Sequence, residues 1–79
     1  MKLPRDLSGQ DLAKSLCLHW NYSQVHQTGS HIILDTEEPR HQRIAIPAHR
    51  DLRIGTLNNI LKSVARHKFI NSQAILDRL

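Results

Sequence analysis

Near the amino terminus, apolar residues recur at the spacing of one helix face, at Leu12, Ala13, Leu16 and Cys17. A stripe of this kind is typical of a helix that buries one side. Ser8 precedes the stripe as an N-cap, and Asp11 follows three residues later at the capping-box position. Leu7 and Leu12 are placed to form a hydrophobic staple across this cap. We therefore predict a first helix that begins after Ser8 and ends near His19 to Asn21.

A strand pattern follows, in which polar and apolar residues alternate on both sides of Gly29-Ser30. These two residues predict a type II′ hairpin turn, because its first central position takes the positive φ that glycine tolerates. The turn sets a register that pairs Thr28 with His31 and His26 with Ile33. One face of the hairpin is then predicted to hold Val25, Gln27, Ile32 and Leu34. The other, polar face is predicted to hold Tyr22, Gln24, His26, Thr28 and His31.

A third strand and a second helix follow the polar connection TEEPRHQ. The segment RIAIP alternates, which predicts a short strand with Ile44 and Ile46 inward and Arg43 outward. Thr56 is placed to cap the second helix. Its predicted apolar stripe is Leu57, Ile60, Leu61, Val64 and Ala65, and its outer row is Asn58, Lys62 and Arg66. A last short helix is predicted from Asn71 onward.

The predicted order of elements is one helix, three strands, a second helix and a short C-terminal helix. This order indicates the α+β class, with a three-stranded antiparallel sheet in an α-β-β-β-α arrangement. A length of 79 residues is that of one domain, so we expect residues 1–79 to form it. Helices are expected to cover one face of the sheet and to leave the polar face, with His26 and His31, open.

Charge and cysteine content narrow the function classes. Eleven Lys and Arg against seven Asp and Glu give a formal net charge of +4, which favours polyanionic partners such as RNA, DNA or an acidic protein surface. Cys17 is the one cysteine, so an internal disulfide and a cysteine-rich zinc site are excluded, and its place on the apolar stripe predicts a core residue. No apolar run approaches the ~20 residues of a membrane span, and no secretory segment opens the chain, so we expect a cytoplasmic protein.

Candidate chemistry centres on the histidines. No two of the six are spaced as zinc ligands on a helix, and no glycine-rich phosphate loop occurs, so we expect no metal and no cofactor. His31 stands out because it follows the tight turn directly onto the open face. Imidazole has an ordinary pKa of ~6.5, so a histidine held there can exchange a proton near neutrality. Taken alone, however, a histidine after a hairpin turn is more often an ordinary surface residue.

Three sequence blocks favour a functional role for His31: PRDLSGQDLAKSL, QTGSH and IPAHRDLRIGTLNNIL. In this order and spacing they resemble the HicA (YcfA-like) family of toxins from bacterial toxin–antitoxin pairs. The resemblance covers most of the chain up to about Leu61. The matching positions are Pro4, Arg5, Leu7, Ser8, Gly9, Leu12, Gln27, Gly29, Ser30, His31, Pro47, His49, Leu52, Gly55, Thr56, Leu57, Ile60 and Leu61.

The resemblance implies a fold like that of a double-stranded-RNA-binding domain and the activity of a ribosome-independent mRNA interferase, which is an endoribonuclease. It implies that His31, in the G-S-H motif, is the catalytic residue and that a HicB-type antitoxin covers the active face. Three features depart from the family pattern. His26 stands where the family has arginine, and Asn21 stands where it has a glycine before the aromatic residue, here Tyr22. The tail beyond Val64 is longer than in compact members.

From the resemblance we expect cleavage of mRNA without a metal ion, in which His31 takes the proton of a ribose 2′-hydroxyl or protonates the leaving 5′-oxygen. No pattern identifies the second acid or base, for which His26 is one candidate, and His49 is expected to order its loop. The residues expected to bind RNA or support the site are His26, Gln27, Gly29, Ser30, Arg43, Arg50, Arg53 and Lys62. Two alternatives stay open: a non-catalytic RNA-binding module of the same fold, and a protein-interaction domain.

Overall fold

The elements of the fold follow the predicted order. The computed structural model describes residues 3–79 and contains, within them, three helices and three strands. They are α1 (Gly9–His19), β1 (Ser23–Thr28), β2 (His31–Thr36), β3 (Gln42–Pro47), α2 (Ile54–Lys68) and α3 (Ser72–Leu76). The prediction of an α+β fold with a three-stranded antiparallel sheet flanked by helices is confirmed.

Local signals set both ends of α1. The side chain of Ser8 accepts a hydrogen bond from the backbone N–H of Asp11 at 3.0 Å, as the capping pattern predicts. At the other end, Asn21 has a left-handed φ of 62°, which turns the chain out of the helix and into β1. Asparagine adopts this conformation more readily than most residues with a side chain, so it can replace the glycine of the family pattern.

The sheet has the strand order β1-β2-β3, and both neighbouring pairs are antiparallel. Gly29 has a φ of 56°, as the first central position of the predicted turn requires. Thr28 pairs with His31, and His26 pairs with Ile33, so the predicted hairpin register is confirmed. β3 continues this register and places Pro47 opposite His31.

Three side chains near the start of the hairpin differ from their predicted positions because β1 contains a β-bulge. The register shifts between Gln24 and His26, so Val25 leaves the ladder and is 44% exposed instead of facing the core. Gln24 pairs with Leu34 and therefore lies on the helix side rather than on the open face. Tyr22, also predicted on the open face, is buried. Simple alternation fails here because a bulge adds one residue to one strand and reverses the faces of the residues before it.

The core lies between one face of the sheet and the helices. α1 contacts all three strands, and α2 packs against β3 and α3. The predicted stripes of α1 and α2 are buried, except that Cys17 is half-buried at the edge of the core, where burial raises the pKa of its thiol. Burying one large aliphatic side chain contributes about 1.5–3 kcal/mol to folding. The largest fully buried side chains are Leu12, Leu16, Leu34, Ile46, Leu57, Leu61, Ile75 and Val64.

The start of α2 differs from the prediction. Thr56 is the third helical residue rather than the cap, and the N-cap is Arg53, whose side chain makes no capping hydrogen bond. The preceding Leu52 is buried, and its N–H donates to the carbonyl of Leu7 at 2.8 Å. This contact fixes where the chain enters the helix, and it outweighs the local preference of threonine for the N-cap position.

The short helix α3 begins after Asn71, whose side chain accepts a hydrogen bond from the N–H of Ala74 at 3.0 Å, as predicted. Ile75 is buried, and the Ser15 hydroxyl donates to the carbonyl of Arg78 at 3.2 Å, so the end of the chain is joined to α1. None of the helices within residues 3–79 is both long enough and apolar enough to cross a membrane.

Candidate active site

The sheet face that the helices leave uncovered, called the open face below, carries the candidate site. Strand pairing arranges its outward side chains in three rows across the strands. The row at the hairpin turn, which marks the turn end of the sheet, is Thr28, His31 and Pro47. The middle row is His26, Ile33 and Ala45. The row at the opposite end, called the far end, is Ser23, Asp35 and Arg43.

The two histidines of the hairpin lie in adjacent rows of the open face. His31 is the first residue of β2, directly behind the turn, and its side chain is exposed. His26 lies diagonal to His31 across the two strands and is also exposed. Diagonal neighbours on one face of an antiparallel pair are about 7–8 Å apart. One small chemical group can therefore lie between the two imidazoles.

Backbone contacts bring the three sequence blocks together at the turn end. The N–H of Gly9 donates to the carbonyl of His49 at 2.9 Å, and the N–H of Ala48 donates to the carbonyl of Ser30 at 2.6 Å. Gly9 also lies so close to β3 that a Cβ atom there would stand 1.8 Å from the carbonyl oxygen of Pro47. Main-chain atoms of all three blocks thus form one frame at this end of the sheet.

This frame gives a role to His49, as expected from the sequence, and a role to Gly9 that sequence reasoning missed. His49 was expected to order its loop, and its carbonyl oxygen contributes to that order while its side chain is exposed. Gly9 was matched only as a family position. A glycine in the first turn of a helix does not by itself identify this role, because Gly55 has a similar position in α2 and no close contact.

The other predicted residues of the hairpin support the turn rather than the open face. Gln27 pairs with Ile32 on the helix side, and its Nε2 donates to the carbonyl of Gly29 over 3.5 Å. Gly29 supplies the positive φ of the turn. The carbonyl of Ser30 accepts a hydrogen bond from Ala48, in the loop after β3. Their contribution to a site would be to hold the neighbouring His31 in place.

The four predicted basic residues lie in different places. Arg43 is in the far row of the open face, about 13 Å along the strands from the turn row. Arg50 is exposed in the loop that follows β3 at the turn end. Arg53 is the N-cap of α2, and Lys62 is exposed on α2 itself, so these two belong to the helix rather than to the open face.

An ion pair joins two strands in the far row. The Nε and Nη2 atoms of Arg43 donate to the two carboxylate oxygens of Asp35 at 2.7 and 2.9 Å. This hydrogen bonding lowers the pKa of Asp35, with further contributions from the charges of His41 and His26, and it raises the pKa of Arg43. Asp35 was not predicted as a site residue, although the alternation that places His31 outward also places Asp35 outward.

One group of side chains within residues 3–79 has the spacing of metal ligands. One ligand atom each from Asp35, Glu37 and His41 lie within 4.8 Å of one another. These atoms are already paired, because Asp35 accepts from Arg43 and His41 Nδ1 lies 2.7 Å from Glu37 Oε2. The guanidinium of Arg43 therefore supplies the positive charge next to Asp35.

A network of side chains holds the far end of the sheet to α2. Lys68 Nζ lies 4.8 Å from the centre of the Tyr22 ring and donates to Thr36 Oγ1 at 2.8 Å. The hydroxyl of Tyr22 donates to Gln42 Oε1, and Gln42 Nε2 donates to Ser63 Oγ at 3.2 Å. Burial lowers the pKa of Lys68 and raises the pKa of Tyr22 to about 12. The two ends of the sheet are thus stabilised in different ways.

Comparison with known proteins gives a match that covers the sheet and most of the helical residues packed against it. A family model described as the HicA toxin of bacterial toxin–antitoxin systems matches residues 9–65, from the glycine of the turn-end frame through most of α2. Searches of curated proteins and of solved structures found no significant match. The family match spans more than half of the chain and all three strands. The chain therefore belongs to the HicA family of toxins from bacterial toxin–antitoxin systems.

Proposed function

We propose that this HicA-family toxin is an endoribonuclease that cleaves mRNA without a metal ion and that His31 is its catalytic residue. The position of His31 carries the proposal. The side chain is exposed on an open sheet face, directly after a tight turn, and backbone hydrogen bonds hold that turn to the loop behind β3. A general acid or base needs this combination of access and fixed geometry.

The RNA itself supplies the nucleophile in the proposed reaction. His31 takes the proton of a ribose 2′-hydroxyl while that oxygen attacks the adjacent phosphorus. The bond between phosphorus and the 5′-oxygen breaks, which leaves a 2′,3′-cyclic phosphate and a 5′-hydroxyl. DNA has no 2′-hydroxyl, so we expect it to resist cleavage.

Positive charge supports binding of the RNA strand along the open face. The chain has a formal net charge of +4, and two arginines lie at opposite ends of the site, Arg50 at the turn end and Arg43 at the far end. We propose that both contact phosphate groups, which positions a strand without reading its sequence. The ion pair with Asp35 restrains the Arg43 guanidinium, and Arg53 and Lys62 add positive charge on α2, outside the open face.

A HicB-type antitoxin is the protein partner that we propose, and its proposed binding surface is the open face. Two features support this surface: the middle row offers the apolar side chains of Ile33 and Ala45 beside the histidines, and Val25 is 44% exposed at the bulge. Apolar side chains rimmed by polar groups are typical of protein-binding surfaces. An antitoxin bound there would cover His31 directly. We propose further that residues 1–79 act as one domain in the cytoplasm.

Cleavage by a His31→Ala variant tests the nuclease proposal. Wild-type protein and His31→Ala are incubated with an mRNA transcript in EDTA. The matched control is His19→Ala, because His19 is exposed at the end of α1, across the sheet from the open face. We expect equal cleavage by wild type and His19→Ala. His31→Ala should cleave at least about a hundredfold more slowly. Equal cleavage by all three proteins, or cleavage by none, contradicts the proposal.

A non-catalytic RNA-binding module is the second candidate, and the basic residues on α2, outside the open face, favour it. Retention of labelled RNA by both wild type and His31→Ala, without cleavage by either, would support this candidate. A domain that only binds protein is the third. In that case growth inhibition in cells would survive the His31→Ala substitution, with antitoxin binding unchanged.

A further inference from the structure

We infer that His26 is a second catalytic residue, which donates a proton to the leaving 5′-oxygen while His31 accepts one from the 2′-hydroxyl. This inference rests on the proposed endoribonuclease function. It adds a named proton donor to that function, at a position where the family pattern has an arginine, whose charge does not titrate near neutrality.

The hairpin register places the two imidazoles on either side of a gap that fits a phosphate group. His31 pairs with Thr28 and His26 pairs with Ile33, in adjacent rows of the open face. Their positions are therefore about 7–8 Å apart along the diagonal, within reach of aromatic side chains. The attacking and leaving oxygens lie on opposite sides of the phosphorus during cleavage. A base and an acid at the two ends of this diagonal can each reach one of those oxygens.

The bulge in β1 keeps the surroundings of His26 open. Regular alternation would have placed Gln24 beside it on the same face. The register shift turns Gln24 to the helix side, where it pairs with Leu34, and leaves the shorter Ser23 in the far row. Bulges commonly redirect side chains next to active sites. Here the result is an imidazole without a long polar neighbour in its own strand.

Two histidine rings within residues 3–79 are engaged in hydrogen bonds, whereas those of His19, His26, His31 and His49 are not. The ring of His41 bonds to Glu37 at 2.7 Å, and the ring of His67 bonds to the carbonyl of Arg40 at 2.8 Å. Within residues 3–79, neither His26 nor His31 has a side-chain hydrogen-bond partner, and both are exposed. Both ring nitrogens of each histidine are therefore available to a bound substrate.

Charged groups distinguish the two ends of the pair and set the direction of proton transfer. Asp35 lies in the far row of the open face, next to the middle row that holds His26. Arg43 and His41 interact with this carboxylate. Asp35, although paired with Arg43, is the acidic side chain in the row next to His26, so we assign the proton-donating role to His26. His31 lies toward the loop after β3, which carries His49 and Arg50, and has the accepting role.

The proposed step balances as one transesterification. The 2′-oxygen forms a bond to phosphorus, and its proton passes to a ring nitrogen of His31. The bond from phosphorus to the 5′-oxygen breaks with its electron pair, and this oxygen takes a proton from the His26 imidazolium. The two imidazoles end the step in exchanged protonation states, and water restores them before the next turnover.

A substrate with a sulfur leaving group tests the role of His26. The RNA contains one linkage with an adjacent 2′-hydroxyl, at a position that the wild-type protein cleaves, and is made with either a 5′-oxygen or a 5′-sulfur at that linkage. A thiolate leaves without protonation. The sulfur substrate therefore restores the cleavage rate of a variant that lacks the general acid, but not of one that lacks the general base. The proteins are wild type, His26→Ala, His26→Arg, His31→Ala and the control His19→Ala.

We expect His26→Ala to cleave the oxygen substrate about a hundredfold more slowly than wild type and the sulfur substrate at nearly the wild-type rate. His31→Ala should be slow on both. The wild-type rate should fall at low and at high pH, and His26→Ala should lose the fall at high pH, because an acid acts only while protonated. His26→Arg should bind RNA at least as tightly as wild type and cleave it as slowly as His26→Ala.

Two results would overturn the inference and leave the nuclease proposal intact. His26→Ala could cleave the oxygen substrate at the wild-type rate, or it could stay equally slow on the sulfur substrate, while His31→Ala is inactive on both. Absence of cleavage by wild-type protein would instead remove the nuclease proposal and this inference with it. Because both histidines are exposed, we expect each variant to have the thermal unfolding midpoint of wild type, which confirms that the variants are folded.

Discussion

The two ends of the sheet are held by different kinds of atoms. At the turn end, main-chain groups of Gly9, Ser30 and His49 make the contacts. At the far end, side chains such as those of Tyr22 and Lys68 make them. A frame built from the backbone leaves its side chains available for chemistry, whereas a frame built from side chains engages them. The proposed catalytic histidine lies at the end where main-chain hydrogen bonds join the segments of the chain.

The largest effect is expected from adding one methyl group to the turn-end frame. In Gly9→Ala the new Cβ would stand 1.8 Å from the carbonyl oxygen of Pro47, which is backbone and cannot turn aside. We expect the free energy of unfolding to fall by about 3 kcal/mol. Cleavage of RNA should fall as well, because the frame around the turn has to shift. Urea unfolding and the cleavage assay measure the two effects.

Gly55→Ala is the matched control for this substitution. Gly55 lies in α2, and a Cβ atom there would meet no other atom within 4 Å. Alanine favours a helix over glycine by about 1 kcal/mol, so this variant should be slightly more stable than wild type. Equal stability of Gly9→Ala and Gly55→Ala would show that the turn end tolerates a side chain at Gly9 and would remove the contrast between the two ends.

The far end is expected to weaken in alkali. Burial raises the pKa of Tyr22 from its ordinary 10.0 to about 12, so the folded protein holds this proton more tightly than the unfolded chain. The corresponding stability is complete below pH 10 and is lost as the pH rises to about 12. The difference amounts to roughly 2–3 kcal/mol in the free energy of unfolding. Urea unfolding at both ends of this pH range measures it.

Tyr22→Phe is the control, because it removes the titrating group and keeps the ring. The depressed pKa of Lys68 acts in the opposite direction, since it makes stability rise with pH, and it is retained in this variant. Tyr22 is the one tyrosine of the chain, so tyrosinate absorbance also follows its titration directly. Ionisation of native Tyr22 at the ordinary pH for tyrosine would contradict its burial at the far end.

A smaller effect is expected at the end of α2, next to the far-end network. Phe69 has a left-handed φ of 58° and is 78% exposed, so its ring gains little from burial while its backbone is strained. Phe69→Gly should raise the free energy of unfolding by up to about 1 kcal/mol, because glycine suits the residue that ends a helix in this conformation. Thermal unfolding against Phe69→Ala separates the backbone effect from loss of the ring. Lower stability of Phe69→Gly than of Phe69→Ala would contradict the strain.

Features set by neighbours in the chain were predictable. Ser8 caps α1 through an atom three residues away, and the register from Gly29 outward follows from the turn alone. This register is enough to place His26 and His31 on the open face, without any tertiary contact. Local chemistry therefore predicted the positions of both histidines, and the family resemblance implied the catalytic role of His31.

Features decided by distant contacts were not predictable. The bulge at Val25 reverses the faces of earlier residues, and burial of Tyr22 accompanies it. Thr56 loses the cap position because Leu52 is anchored to another part of the chain. The ion pair of Arg43 depends likewise on β3 lying beside β2 in a register that no turn of two residues specifies. Residue patterns predict the helices and strands, whereas the bulge, the N-cap of α2 and the ion pair depend on how these elements pack.

The hydrogen bond between Gly9 and His49 joins segments that are made at different times during protein synthesis. The hairpin that carries His31 emerges from the ribosome before the loop that completes its frame, and a two-stranded hairpin by itself is at best marginally stable. The complete set of contacts requires His49 and Leu52, because their main-chain groups bond to Gly9 and Leu7. If His31 acts as proposed, a chain that ends before His49 lacks the frame around its turn, and we expect it to cleave RNA more slowly than the full chain.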